Sequence, residues 1–256
     1  LVTLPLASGV SQSIGVEVPA GTYESLRMKV HKVSDDPGDA AFLAANATIE
    51  GDGNLRTLLG AERFVRVDAQ TRALGLPLDS VAQLEPWAVA LALTQLQLVK
   101  LGLDPQQGVE QQLTARARAE GKPIAGLESI DEQLGILDGL SYTDQARFLE
   151  LTAAESDSIS TELDRILAAW RRADTAALER LLLVEYERLP TLYRPLVTDR
   201  NRRWLPQIEA LLARPDDTLV VVGALHLVGP DGLLALLRER GLVPSPVGAV
   251  SSLRQP

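Results

Sequence analysis

Seven consecutive residues near the C-terminus limit the folds open to this chain more than any other feature. Asp217-Thr218-Leu219-Val220-Val221-Val222-Gly223 is a continuous apolar, β-branched run bounded by turn signals. It lacks the alternation of a half-solvated strand, and so reads as a strand covered on both faces. A strand of that kind needs a layer on either side of its sheet. The expectation is therefore an interior position in the sheet, with helices packed above and below.

The remaining sequence supplies those helices. Asp39 to Ala47, Leu55 to Gly75, Glu85 to Leu101 and Val109 to Glu120 carry apolar residues at three- and four-residue spacing, the period of a helix with one buried face. Pro86 suits a first helical turn, and Gly102 and Gly121 suit helix ends. A longer stretch from Thr143 to Glu187 should break near Asp174, and Asp199 to Ala213 forms another helix with Asp199 as its N-cap. Leu233 to Arg240 follows Gly229-Pro230-Asp231-Gly232 as the last. Strands are sparse: Leu1 to Leu6, the alternating Ser25 to Val33 with His31 on its polar side, and Lys122 to Glu128. After the last of these, Ser129 and Glu132 form a capping-box pair that opens a helix. The fold class is α/β: one helix-rich domain over residues 1–256, built around a central mixed or mostly parallel sheet.

Composition removes several functional classes. With 34 acidic against 25 basic residues, the net charge is -9 and no basic stretch offsets it, so nucleic acid is not an expected partner. The chain has no cysteine and two histidines, His31 and His226, which excludes zinc-thiolate and three-His sites within one chain. The most apolar helix, Trp87 to Val99, is interrupted by Thr94, Gln95 and Gln97 and falls short of the roughly 20 residues that span a bilayer. The sequence begins at Leu1 rather than Met, as expected of a processed or trimmed chain. No G-x-S-x-G elbow, G-x-G-x-x-G turn or G-x-x-x-x-G-K-[ST] loop is present, so serine hydrolase, dinucleotide and P-loop chemistry are unsupported.

In open α/β sheets, ligands bind beyond the carboxyl ends of the strands. His226, in the loop after the Thr218 to Val222 strand, and Glu128, at the end of the Lys122 strand, both fall there. A histidine in such a loop can ligate a metal, move protons, or hydrogen-bond a nearby carbonyl. Glu128 is either a site carboxylate or a helix-start acid favoured by the helix dipole. Gly223 either lets backbone approach a ligand or shapes a turn. Asp199-Arg200-Asn201-Arg202-Arg203-Trp204 is a polar helix opening whose arginines can reach an anionic group or remain solvated.

Five segments in order carry a family resemblance: Leu84-Glu85-Pro86-Trp87, Gly108-Val109-Glu110, Gly121 to Ser129, Asp199 to Trp204, and Val222 to Gly232. Together, over roughly Leu74 to Val247, they resemble the TraB/GumN family, which includes pheromone-shutdown proteins and is related to the Tiki metalloproteases. The resemblance implies a ChaN/EreA-like α/β fold and a metal-dependent, peptidase-like hydrolase built on two G-x-x-H motifs with supporting carboxylates. Gly223-Ala224-Leu225-His226 looks like the second of these motifs, Glu128 like the glutamate of a G-L-E-[ST] motif, and Arg200-Asn201 like the family's R-N pair. On that basis His226 and Glu128 are the catalytic and metal-ligating candidates, and Arg200, Asn201 and Gly223 the substrate-binding ones.

The N-terminal half departs from the family pattern. No G-x-x-H occurs before residue 223; the nearest equivalent, Gly9-Val10-Ser11-Gln12, puts Gln12 where the histidine would stand, with Lys29 or His31 near the place of the acid. Two functions follow. One is a metallohydrolase acting on a peptide or small polar substrate, or its catalytically degenerate descendant. The other is a non-enzymatic protein that sequesters a peptide in the same crevice. Because a hydrolytic metal normally keeps at least three protein ligands, the expectation is weak or absent binding of Mn, Co or Zn, with His226 hydrogen-bonded to a carboxylate or carbonyl. Placement in the bacterial envelope is expected from the family, with the cytoplasm as the alternative.

Overall fold

Helices form most of the protein because most of its apolar residues recur at helical spacing, and the short described strands pair into two small sheets. The computed structural model describes residues 2–5, 11–14, 25–28, 47–104, 107–154, 159–215 and 217–245. Strands β1 (Val2–Pro5), β2 (Ser11–Ile14) and β3 (Ser25–Met28) come first. Helices α1 (Leu55–Leu59), α2 (Ala61–Ala73), α3 (Pro86–Lys100) and α4 (Val109–Ala119) follow. After β4 (Ile124–Ala125) come α5 (Ile130–Asp138), α6 (Tyr142–Ala154), α7 (Ile159–Arg171), α8 (Thr175–Arg188) and α9 (Pro190–Tyr193). A wide turn, Arg194–Thr198, leads into α10 (Asp199–Leu212), then β5 (Thr218–Val221) and α11 (Leu233–Glu239).

Local chemistry explains most of the boundaries. The Leu55 to Gly75 stretch divides at Gly60, whose φ of 76° is open to glycine and strained for other residues. The long Thr143 to Glu187 stretch breaks near Asp174 as its sequence implies: Ala173 takes a φ of 51°, and the Asp174 carboxylate caps the next helix by accepting from the Ala177 amide at 2.9 Å. Ser129 and Glu132 form the reciprocal capping box, at 3.1 and 2.7 Å. Asp199, by contrast, is not an N-cap. The wide turn runs straight into α10, so the Asp199 amide is already inside continuous helix. The Asp39 to Ala47 helix lies almost wholly outside the described residues, as do His31 and Lys29.

The described helices bury several apolar clusters. α1, α2, α3 and α6 pack around Leu55, Phe64, Val67, Val89, Leu93 and Leu149, and Trp87 seats against Leu134 and Leu137 of α5. At the start of α3, Glu85 is buried and accepts three hydrogen bonds: from Trp87 Nε1 at 2.9 Å, Gln145 Nε2 at 2.9 Å and the Tyr142 hydroxyl at 3.0 Å. This arrangement ties α3 to α6 and gives Leu84-Glu85-Pro86-Trp87 a structural purpose. Burial, and next the Glu85 charge, push the nearby Asp138 carboxyl above its ordinary range.

The strands correct the expected interior position of the Thr218 to Val222 run. β1 and β2 pair antiparallel, with Gln12 opposite Leu4. β3 pairs parallel with both β4 and β5, in the order β4-β3-β5. The segment expected in the interior of the sheet is thus an edge strand among the described residues, and β3 takes the middle. Helices nonetheless contact both of its faces and leave its residues half-buried: Leu219 and Val221 meet Leu113 and Ala117 of α4, while Val220 and Val222 meet Trp204, Ile208, Leu233 and Leu237. A continuous apolar run reports what covers a strand's faces and is blind to its hydrogen-bonded edges, which involve backbone alone.

Candidate functional site

The parallel register puts the carboxyl ends of β4 and β5 at the same end of the small sheet, so the residues that follow them converge. Glu128 stands three residues past β4, and His226 closes the short 3₁₀ turn Ala224–His226 after β5. α10 packs beside them. Its residues Arg200, Asn201, Trp204 and Ile208 are all buried, at spacings that put them on one face of the helix.

Glu128 sits at the centre of a charged and aromatic cluster. Its side chain is 1% exposed, and its carboxylate lies 3.0 Å from Arg200 Nη2 and 3.6 Å from Arg203 Nη2. The Trp204 indole donates to it at 3.0 Å and Arg200 Nε at 3.3 Å. Arg200 also donates through Nη1 to the Leu196 carbonyl at 3.1 Å and lies over the Trp204 ring, 4.8 Å from its centre. Burial, and after it the like charge of Arg203, hold the Arg200 guanidinium down to about 10, so it remains a cation at neutral pH.

His226 is fixed from the other side by Asn201, which is wholly buried. The Asn201 amide nitrogen donates to the backbone carbonyls of Asp231 at 2.7 Å and His226 at 3.2 Å. Those two acceptors orient the amide, so its oxygen is the atom 2.8 Å from His226 Nδ1. An oxygen acceptor requires the proton on Nδ1, and in the neutral ring this leaves Nε2 with the lone pair. The ring packs on Trp204 at a centroid distance of 4.6 Å, and Trp204 is thereby the link between His226 and Glu128. Arg202 lies 3.6 Å from Asp231, and burial followed by the Asp231 charge pushes the Tyr193 phenol up.

The five residues singled out from the sequence therefore fall in one neighbourhood. Glu128 and Arg200 pair directly, Asn201 holds His226, and Gly223 is exposed beside the His226 ring. Trp204 and Asp231 belong to the same cluster, although no site role was read for them from sequence, and Arg203, read as able to reach an anionic group, lies beside Glu128. The four-residue step from Arg200 to Trp204 was the available signal, since it puts both on one helical stripe. Gln12 belongs to the other, two-stranded sheet and stands within β2 rather than beyond a strand end.

Two glycines of the His226 loop separate stability from access. A Cβ at Gly232 would meet the Val228 and Leu227 carbonyl oxygens at 2.5 and 2.7 Å, whereas one at Gly223 would meet only His226 Cδ2, at 3.8 Å. Gly232→Ala is expected to cost about 1–3 kcal/mol as backbone is forced apart. Gly223→Ala should leave the melting temperature within about 2 °C of the parent, a change of under about 0.5 kcal/mol. If the two substitutions shift thermal unfolding equally, the loop geometry is wrong.

The sequence model of the TraB/PrgY/gumN family matches residues 26–246, and the chain belongs to this family. Among curated proteins it is similar to the uncharacterized protein YbaP of Escherichia coli K12. The two are 29% identical over 153 residues, covering 59% of this chain and 56% of that protein. An uncharacterized protein of Treponema pallidum is 26% identical over 182 residues, covering 66% of this chain and 54% of its own length. The chain thus spans a little over half the length of these relatives. No solved structure matches it. No helix among the described residues is long and apolar enough to cross a membrane.

Proposed function

We propose that the cluster at the carboxyl ends of β4 and β5 is the ligand site of a TraB/GumN-type protein, one that holds a peptide or small polar substrate and has lost the family's metal-dependent hydrolysis. On this proposal the chain is one domain over residues 1–256 and follows the ChaN/EreA-like plan, with β3 at the heart of its sheet and the bacterial envelope as its location. The observation that carries the reading is the state of Glu128. A carboxylate enclosed by Arg200, Arg203 and the Trp204 indole has two cations beside it and accepts hydrogen bonds from Arg200 and Trp204 through Oε2. Such a group repels a divalent ion and is a poor general base. Two cations beside Glu128 make it a poor donor for Mn, Co or Zn, and among the described residues no group of three His, Cys, Asp or Glu side chains comes together. Glu128 instead holds Arg200 and Trp204 in place.

Three guanidinium groups, Arg200, Arg202 and Arg203, surround two carboxylates, Glu128 and Asp231. The local excess of one positive charge in a chain of net charge -9 suits an anionic group on the ligand, such as a peptide carboxylate. A second reading, an active metallohydrolase, draws on one specific feature: the Asn201-fixed tautomer leaves Nε2 as the lone-pair nitrogen, which is what a metal ligand or proton acceptor requires. Calorimetric titration of the purified chain with Mn²⁺, Co²⁺ and Zn²⁺ decides between the two. Little heat is expected, and His226→Ala should change it little. A stoichiometric site of micromolar affinity that His226→Ala abolishes would overturn the proposal in favour of the hydrolase.

A further inference from the structure

A cavity of about 320 Å³ adjoins this site, on the side where the helices meet the His226 loop. Its walls come from α6, α7, α8, α9 and the turn before α10, and they close on Leu225, the residue before His226. Of the lining residues described, only Thr152 and Tyr186 carry a polar group. The Thr152 hydroxyl is already engaged, donating to the Phe148 carbonyl at 2.9 Å. No charged side chain described lines the cavity, which contrasts with the arginine-rich cluster next to it.

Three wall residues join the two regions. Leu225 is adjacent in sequence to His226. Leu196 lends its carbonyl to Arg200. Tyr186 raises the Arg200 pKa and so lies within electrostatic reach of it. A chamber whose described walls are uncharged, set beside an arginine-rich cluster, suits an amphiphilic ligand, because the chain that enters must be apolar while the group left outside can be polar or anionic. The volume lies at the lower end of the range for small-molecule pockets, enough for a side chain of leucine or phenylalanine size and too small for a folded partner.

The geometry points to a specificity subsite: the chamber receives an aliphatic side chain of a peptide whose polar backbone and carboxylate lie against His226, Arg203 and Arg202. This inference rests on the reading of the cluster as a ligand site, and it adds the residue class that site prefers. It is independent of whether the bound peptide is cleaved.

The test is binding of the full chain to pentapeptides Gly-Gly-X-Gly-Gly, with X running from alanine through aminobutyrate and norvaline to norleucine. Affinity should rise about four-fold with each methylene, the equivalent of about 0.8 kcal/mol per buried CH₂. Lysine at X, which keeps the stem and adds a charge, should fall back to the alanine value. Ile166, half-buried in the wall, gives variants in both directions. Ile166→Trp fills the chamber and should flatten the series, and Ile166→Ala enlarges it and should favour phenylalanine at X over norleucine. If Ile166→Trp does not fold, the Ile166→Ala arm alone decides. A series that is flat in the parent chain, or unchanged in Ile166→Ala, would overturn the subsite. Metal titration reports separately: a rising series with a His226-dependent metal site keeps the subsite and overturns the non-hydrolytic reading, while a flat series without metal does the reverse.

Discussion

Glu128→Leu is expected to destabilise the protein by about 3–5 kcal/mol, the cost of stranding a buried cation. The substitution leaves Arg200, 8% exposed, without the carboxylate 3.0 Å away, and leaves the Trp204 indole without its acceptor. Arg203 does not help, because its like charge already opposes that of Arg200. If the penalty comes from the orphaned guanidinium, Arg200→Met should relieve most of it when combined with Glu128→Leu. Pairs of this kind can often be replaced by apolar residues at little net cost. Urea unfolding of the two single variants and the double gives the coupling energy directly. Additive effects would mean that Glu128 and Arg200 do not act as a pair, and the assignment of Glu128 as a holding group would fall with them.

Asn201→Asp changes one atom of a wholly buried side chain and is expected to cost at least about 3 kcal/mol, a fall of roughly 6–12 °C in melting temperature for a chain of this size. Two backbone carbonyls, of His226 and Asp231, receive their hydrogen bonds from the Asn201 nitrogen. An unsatisfied buried acceptor costs about 1–3 kcal/mol, and here an aspartate oxygen would face both. The new charge improves the contact with His226 Nδ1, which offsets only part of that loss. Asn201→Ala should cost less than Asn201→Asp, since it removes the donor without adding an opposed acceptor. If Asn201→Asp melts with the parent, the amide is oriented the other way, the proton moves off Nδ1, and Nε2 is no longer the basic nitrogen of His226.

The sequence determined a good deal of this protein unaided. Helical spacing located α3, α4 and α10 to within a residue and drew α1 and α2 as one helix. Capping chemistry, which needs three or four neighbouring residues and nothing else, located the starts of α5 and α8. The candidate residues were legible for a related reason: Glu128 and His226 each follow a strand in the same short stretch that carries the family motif, so their positions follow from local order. What the strand run Thr218–Val221 concealed was its edge. Side chains write the coverage of a strand's faces into the sequence, while pairing along its edges is made by backbone and leaves no residue-specific trace.

Only the tertiary structure decided how the candidate residues are held. That Glu128 is enclosed by two arginines and an indole depends on contacts spanning more than seventy positions, from Glu128 to Arg200 and Trp204. The tautomer of His226 depends on Asn201, which is turned by two carbonyls 25 and 30 residues away. The chamber beside Leu225 exists because four helices and a turn leave a space between them, and no single segment encodes a void. Residue types and spacings declare which groups can act. Burial and partners, which arise when distant segments pack, set the charge and the lone pairs with which they do so.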